Sequence, residues 1–143
     1  MRETSSYDYA IIRVVPHVER GECLNVGVIL YSPTRRFIGA LLHFDQERLR
    51  ALAPQLDFSA LQQQLEHLVQ VCNGKKSGGP IGQLSQSERF NWLVSPRSTI
   101  IQTSPVHAGI CNDPQEELQS LLKKLVLVEA YQDASANDAA KTF

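Results

Sequence analysis

The chain has 143 residues, of which 43% are hydrophobic and 20% are charged, and its formal net charge is -1. These values are ordinary for one globular domain with its own core, and they exclude a disordered, fibrous or strongly basic chain. A net charge so close to zero provides no bulk attraction for nucleic acid or for an anionic membrane.

The three cysteines are far apart in the chain and form no Cys-x-x-Cys pair. That spacing argues against a disulfide framework and against a structural zinc site, so we expect no metal and no cofactor. Residues 1–6 are polar, lack the apolar core of a signal peptide and are predicted to form a flexible N-terminus. No apolar run is long enough to span a bilayer. The composition therefore predicts a cytoplasmic protein with reduced thiols and no membrane segment.

Three segments rich in aromatic and β-branched residues open the chain and predict a three-stranded meander. They are residues 7–18, 22–31 and 36–44. The first two are joined by a predicted three-residue hairpin loop, in which Gly21 takes the left-handed conformation. That loop aligns Arg13 with Gly27 across the two strands.

The alignment predicts that one face of the meander is wholly apolar and forms the core. Its members are Ala10, Ile12, Val14, Leu24, Val26, Val28 and Leu30. Pairing of Tyr31 with Phe37 would extend the same face onto the third strand. The residues that the third strand adds are Ile38, Ala40 and Leu42.

The opposite face of the meander carries polar and aromatic side chains and is the predicted recognition surface. Arg13 lies opposite a glycine and has room to cross the sheet, and the second alignment puts His43 beside Asn25. An arginine beside an amide and an imidazole can recognise an anion or an amide. The alternative is structural: Arg13 pairs with a nearby carboxylate, and Asn25 bonds to a local backbone group.

The predicted hairpin tip carries Glu19, Arg20 and Glu22. Paired carboxylates beside an arginine can form a general acid–base set when their pKa values are split. A hairpin tip is convex, however, whereas chemistry prefers a cleft that excludes water. We therefore predict recognition at these three residues, and we assign no catalytic residue.

Four helices follow the meander, two of them short. The short ones are predicted to begin at Asp45 and at Ser85, and the longer ones at Asp57 or Ser59 and at Asp113. Each of these side chains can cap the N-terminus of a helix. An apolar stripe at helical spacing follows both of the longer starts, which indicates packing against a sheet.

Two short strands, at residues 98–103 and 106–110, are predicted between the third and fourth helices. The predicted fold class is therefore α+β, with an antiparallel sheet of about five strands packed against two longer and two short helices. We expect this single domain to cover residues 7–130. A tail of small and polar residues at 131–143 is expected to be disordered.

A nucleic-acid platform is an alternative interpretation of the polar face of the meander. The aromatic and basic residues that would form it are Tyr9, Arg13, Tyr31, Arg35, Arg36 and Phe37. The acidic balance of the chain argues against this reading. The platform would also need a sheet face that no helix covers.

Three runs within the first 28 residues carry a family resemblance. They are Tyr9-Ala10-Ile11-Ile12-Arg13-Val14-Val15-Pro16, Glu19-Arg20-Gly21-Glu22 and Asn25-Val26-Gly27-Val28. Together they closely resemble the bacterial domain-of-unknown-function family 3037, and the resemblance covers residues 7–128. It implies no established activity. It implies small stand-alone proteins associated with neighbouring kinases that are similar to the HipA toxin kinases, and hence a partner-binding or regulatory role.

Two functions stay open. The first is a non-enzymatic module that binds a protein partner, with a kinase as the candidate; the second is an enzyme or binding protein for a phosphorylated or nucleotide ligand. The candidate binding residues for both are Arg13, Glu19, Arg20, Glu22, Asn25 and His43. A concave pocket that contains Arg13, Asn25 and His43 would favour the second function. A convex, solvated tip with an exposed apolar patch would favour the first.

Overall fold

The computed structural model describes residues 3–96 and 99–127 of the chain. Within them the chain forms five strands and four α-helices, and the predicted α+β class is confirmed. The strands are β1 (Ser5–Val14), β2 (Leu24–Ser32), β3 (Phe37–Leu42), β4 (Ile101–Thr103) and β5 (His107–Cys111). The helices are α1 (Gln46–Leu52), α2 (Phe58–Cys72), α3 (Gln86–Leu93) and α4 (Pro114–Leu125). The tail predicted at 131–143 lies outside the described residues.

The strands pair in an antiparallel manner, and the sheet order is β3-β2-β1-β4. β5 pairs with β1 on the same side as β4, so β1 is the central strand of the sheet. β1 begins at Ser5, two residues before the predicted start. It therefore takes in Ser5 and Ser6, which the sequence interpretation assigned to the flexible N-terminus.

β4 and β5 behave as one edge strand that is broken at Ser104. Ile12 pairs with Thr103 and Tyr9 pairs with His107, so three steps along β1 correspond to four steps along the edge. Ser104 is 2% exposed, and its Oγ accepts a hydrogen bond from the N–H of Ile11 at 2.8 Å. A buried N–H without a partner would reduce stability, so this hydroxyl replaces the missing partner in the ladder.

Helices cover the two faces of the sheet and create two clusters of core residues. α1, α2 and α3 pack on the first face. The most buried members of this first cluster are Ile12, Val14, Val26, Ile29, Leu49, Leu65, Val71, Cys72 and Leu93. α4 packs on the second face. The buried members of this second cluster are Tyr7, Val28, Leu30, Cys111, Leu118, Leu121 and Val126.

The predicted alignment of β1 with β2 is wrong. Arg13 lies opposite Asn25 rather than Gly27, and Gly27 lies opposite Ile12. The register shifts between Ile12 and Arg13, because Val26 is an extra residue on β2. This β-bulge bends the strand and breaks the strict alternation of its side chains.

The predicted apolar face is also wrong in part, because its members are divided between the two clusters. Leu24 and Val26 do share a cluster with Ile12, but Val28 and Leu30 pack in the second cluster under α4. β2 is buried on both faces, so it reads as a nearly continuous apolar run. Either alternation along such a run looks apolar, and the pattern could not fix the register.

The alignment of β2 with β3 is shifted by one residue as well. Phe37 lies opposite Ser32, whereas the sequence interpretation paired it with Tyr31. The contribution of β3 to the first cluster is confirmed all the same. The residues that pack there are Ile38, Ala40 and Leu42.

The predicted helix starts agree with the structure. Asp45, Asp57 and Asp113 each accept a hydrogen bond from a main-chain N–H in the first turn of α1, α2 and α4. Ser85 forms a capping box with Glu88 at the start of α3. These side chains satisfy N–H groups that have no partner within the helix, and so they define where each helix begins.

Candidate functional site

The loop between β1 and β2 covers residues 15–23 and is longer than the predicted three residues. β1 ends two residues before Pro16, which has no N–H to donate to a strand ladder. The centre of the loop is a 3-10 turn at Val18–Arg20, which Gly21 ends with a φ of 72°. The left-handed conformation predicted for Gly21 is thus confirmed.

The charged residues of this loop form an exposed ion pair. Nε of Arg20 donates to Oε1 of Glu22 at 2.7 Å, and the two side chains are 61% and 51% exposed. This hydrogen bond, followed by the attraction between the charges, raises the pKa of Arg20 and lowers the pKa of Glu22. A solvated carboxylate with a lowered pKa is a poor general acid. Glu19 is still more exposed, with 78% of its side chain accessible.

An apolar side chain projects from the same loop. Val18 is 50% exposed. The side-chain amide of Gln55 donates to Nε2 of His17 at 3.0 Å, which ties the loop to the connection between α1 and α2. The loop therefore presents an apolar residue and an ion pair to solvent, and it is anchored from outside the hairpin.

Arg13 lies at the centre of a row of polar residues that crosses three strands. It is opposite Asn25 on β2 and opposite Gln102 on β4. The Nε atom of Arg13 is buried and has no hydrogen-bond partner among the residues that the structure describes. The structure therefore places Arg13 directly beside Asn25, through a different alignment from the predicted one.

Asn25 has a partner of its own. Its Nδ2 donates to the main-chain oxygen of Leu125 at 2.9 Å, so the side chain holds the last turn of α4. The carboxyl end of a helix carries the negative end of its dipole. An anion bound between Asn25 and Arg13 would lie near this negative end, whereas a cation such as Arg13 is favoured there. This geometry fits a structural role for Asn25 better than an anion site.

His43 is not aligned with Asn25. Its N–H donates to the main-chain oxygen of Val26 at 2.7 Å. The one-residue shift of β3 against β2 is the cause. The predicted position of His43 beside Asn25 is therefore wrong, and His43 lies opposite Val26 instead.

Two surface grooves run along α2. The larger has a volume of about 490 Å³, and the residues that line it are Ala60, Gln63, Gln64, His67, Leu68, Thr99 and Ile101. The smaller has a volume of about 150 Å³, and the residues that line it are Leu56, Asp57, Ala60, Leu61, Gln64 and Ile100. None of the six predicted site residues lines either groove. In the sequence, the part of α2 that lines both grooves has the pattern of a solvated helix face. The grooves form because residues 99–101 pack beside this part of α2.

Two of the cysteines are buried. Burial raises the pKa of the Cys72 thiol to about 12 and also raises the pKa of Cys111, whereas Cys23 is exposed. Buried, protonated thiols are poor nucleophiles at neutral pH. Within residues 3–96 and 99–127, no group of three His, Cys, Asp or Glu side chains could hold a metal ion.

The predicted nucleic-acid platform is not formed. Tyr31 belongs to the first cluster, where its ring lies 5.3 Å from the ring of Phe90. Tyr9 and Phe37 belong to the second cluster, on the opposite face of the sheet. Three aromatic rings divided between two covered faces cannot stack on successive bases.

Arg35, which the platform would have used, has a structural role that the sequence interpretation missed. Its Nε donates to Oγ of Ser5 at 2.6 Å, and its Nη2 donates to the main-chain oxygens of Glu3 and Asn112. One guanidinium thus joins the turn after β2 to the start of β1 and to the end of β5. An arginine in a strand connection is the only sequence signal for this clasp, and it does not identify the partners.

Comparison with known proteins gives one finding about the family. A family model described as protein of unknown function (DUF3037) matches residues 9–126. The match extends from β1 to the residue after α4, so it includes almost the whole described fold. No curated protein and no solved structure matches the chain. In the part of the chain that the structure describes, no helix has the length and apolar character needed to cross a membrane.

Proposed function

We propose that the chain, which belongs to the family of proteins of unknown function DUF3037, is a non-enzymatic interaction module. Its loop at residues 15–23 binds a protein partner, and the partner class is a kinase similar to the HipA toxin kinases. The sequence resemblance to a bacterial family associated with such kinases supports this class. Free thiols at Cys23, Cys72 and Cys111 support a cytoplasmic setting for the module.

The observation that carries the proposal is the exposed, anchored tip of this loop. Val18 is half exposed beside the ion pair of Arg20 and Glu22. Protein interfaces commonly have an apolar centre and a polar rim of this kind. The 3.0 Å hydrogen bond between His17 and Gln55 holds the loop before a partner arrives, so that binding costs less conformational entropy.

A catalytic role has less support from the same residues. The side chains of Arg20 and Glu22 are 61% and 51% exposed, so water would compete with any substrate there. The grooves along α2 are lined by other residues. Recognition needs only an exposed and ordered surface, which this loop supplies.

The first test is capture of a partner from lysate of the native host. Wild type is compared with the tip variant Arg20→Ala/Glu22→Ala and with the control Glu66→Ala/Lys76→Ala, which changes two exposed residues elsewhere. Each double variant removes one acid and one base, so the net charge stays the same. We expect one stoichiometric protein that wild type and the control retain and the tip variant loses.

The second test measures the affinity of a purified kinase of the HipA-like class by calorimetric titration. We expect the tip variant and Val18→Ser to bind at least about tenfold more weakly than wild type, because both remove contacts at the centre of the interface. The Glu66→Ala/Lys76→Ala control should bind like wild type. Equal affinities for all four proteins would exclude the loop as the docking site.

A second candidate function is the binding of a phosphorylated or nucleotide ligand at Arg13. The buried Nε of Arg13, which has no partner among the described residues, favours it. The carboxyl end of α4 beside Asn25 opposes it. The test is a titration with inorganic phosphate and with ATP, in which NMR spectra record the amide chemical shifts of the protein. Shifts along the row of Arg13, Asn25 and Gln102 that disappear in Arg13→Met would support this function, and their absence would leave the loop as the functional surface.

A further inference from the structure

β5 is an accessible edge of the sheet. One side of it pairs with β1, from Ser5 opposite Cys111 to Tyr9 opposite His107, and no strand within the described residues pairs with its other side. Unpaired N–H and C=O groups along such an edge can pair with the strand of another chain. The opposite edge strand, β3, differs because its side chains pack under helices on both faces and none of them is exposed.

Exposed apolar side chains gather at this edge. Ile110 is 71% exposed, the highest value among the large hydrophobic residues that the structure describes. Val106, just before β5 on the same broken edge strand, is 44% exposed. Single exposed aliphatic residues are ordinary on a protein surface, but two on one open edge strand indicate an interaction surface.

β5 also lacks the features that normally keep edge strands apart. Its sequence, His107-Ala108-Gly109-Ile110-Cys111, contains no lysine, arginine, aspartate, glutamate or proline. Charged side chains and proline are the usual means by which an edge strand avoids another strand. A neutral strand can instead meet an identical strand without repulsion between like charges.

We propose that β5 pairs in an antiparallel manner with the β5 of a second copy of this chain, about a two-fold axis beside Gly109. A two-fold axis perpendicular to the sheet makes each face of one copy continuous with the same face of the other copy. Side chains that lie on the same face of β5 therefore pair across the axis. The axis puts Ala108 opposite the partner's Ile110, and Ile110 opposite the partner's Ala108. The strand is complementary to itself because a small side chain meets a large one at both positions.

Gly109 suits the position on the axis. A Cβ atom there would lie 2.6 Å from Cζ and from Oη of Tyr7, whose hydroxyl donates to Oε2 of Glu117 at 2.7 Å. Tyr7 therefore covers the α4 side of the strand at this point. Ala108 and Ile110 lie on the other side and are both exposed. Pairing across the axis would join two five-stranded sheets and close this apolar patch.

The proposed interface is separate from the loop at residues 15–23. β5 pairs with the end of β1 that begins at Ser5, and the loop follows the other end of β1 at Val14. The two surfaces can therefore be tested independently.

Light scattering coupled to size-exclusion chromatography provides the first test. We expect wild type to show a mass near twice 16.0 kDa at high concentration, and Ile110→Lys to show the monomer mass. The control Val18→Lys places the same charge on an exposed residue of the loop and should keep the doubled mass. Circular dichroism checks that each variant is folded. A wild type that stays monomeric at every concentration, or an Ile110→Lys variant that keeps the doubled mass, would overturn the interface.

Disulfide cross-linking tests the register. In a Cys23→Ser background, the double variant Ala108→Cys/Ile110→Cys should form cross-linked dimers under mild oxidation, because each new cysteine faces its counterpart on the second copy. Neither single variant should do so. Cross-linking by Ala108→Cys alone would place the axis at that residue and overturn the alignment about Gly109.

Discussion

Asn25 on β2 donates its side-chain amide to the main-chain oxygen of Leu125, and this 2.9 Å hydrogen bond joins residues 100 positions apart. Leu125 is the last residue of α4, where main-chain oxygens have no partner within the helix. The bond fixes the end of α4 to the sheet at the bulge where Arg13 faces Asn25. Asn25, which the sequence predicts to be a binding residue, thus connects the sheet to α4.

Replacing Asn25 should reduce stability. We expect Asn25→Ala to lower the free energy of unfolding by about 1–3 kcal/mol, because a part-buried carbonyl loses its donor. Asn25→Asp should lower it further, since a carboxylate cannot donate and is repelled by the carboxyl end of α4. Urea denaturation measures both effects. Gln62→Ala, on the exposed side of α2, is the control and should change stability by less than about 0.5 kcal/mol. Normal stability of Asn25→Ala combined with lost partner capture would make Asn25 a binding residue instead.

Gly21 should not tolerate a β-branched residue. Its φ of 72° lies in the left-handed region, and an added Cβ would meet nothing within 4 Å, so any cost comes from the backbone alone. We expect Gly21→Val to lower the free energy of unfolding by about 1–3 kcal/mol. Gly21→Asn should cost less, because asparagine adopts this conformation more readily. Equal melting temperatures for wild type and Gly21→Val would show that the turn rearranges freely.

The local features of the fold could be predicted from the sequence. Asp45, Asp57, Ser85 and Asp113 identified the helix starts, because each capping side chain bonds to N–H groups only two or three residues away. The left-handed conformation of Gly21 was predicted for a similar reason, although the three-residue loop predicted around it was too short. Interactions of this range depend on neighbouring residues alone, so the order of the letters is sufficient to find them.

The strand registers and the partners of the site residues could not be predicted. The bulge at Val26 depends on packing against both faces of β2, and an apolar run such as residues 26–30 is compatible with more than one register. The bond from Asn25 to Leu125 requires the position of α4. The position of α4 depends on the packing of the whole fold, so it cannot be predicted from a local sequence pattern.

The buried thiol of Cys72 should make stability fall at high pH. Burial raises its pKa from 9.0 to about 12 in the folded protein. Below pH 9 both the folded and the unfolded chain hold the proton, but between pH 9 and about 12 the unfolded chain releases it first. The free energy of unfolding should then decrease by up to about 1.4 kcal/mol per pH unit.

Urea denaturation between pH 8 and the onset of alkaline unfolding measures this slope for wild type, Cys72→Ala and Cys23→Ala. The Cys72→Ala variant should have a lower stability at pH 8 and a shallower slope above it. Cys23→Ala changes an exposed thiol and should keep the slope of wild type. A slope that is identical in all three proteins would mean that Cys72 does not contribute to it.

Tyr7→Phe should destabilise the contact between the sheet and α4. The change removes the 2.7 Å hydrogen bond from the hydroxyl of Tyr7 to Glu117 and leaves the ring over Gly109. We expect a loss of about 1–2 kcal/mol in the free energy of unfolding, which thermal or urea denaturation measures. Tyr9→Phe removes a hydroxyl from the same face of β1 and serves as the control. A loss of equal size in both variants would show that this hydrogen bond has no special weight.

The central position of β1 has a consequence for the growing chain on the ribosome. β1 is synthesised first, and β2 follows it after one loop, but the other side of β1 is completed only by residues 101–111. Pairing between such distant segments is slow, because the intervening chain must first be brought together. A nascent chain that ends before residue 101 therefore exposes one side of its central strand to the crowded cell. We expect chaperones to bind the nascent chain at this stage and to leave once the edge strand is in place.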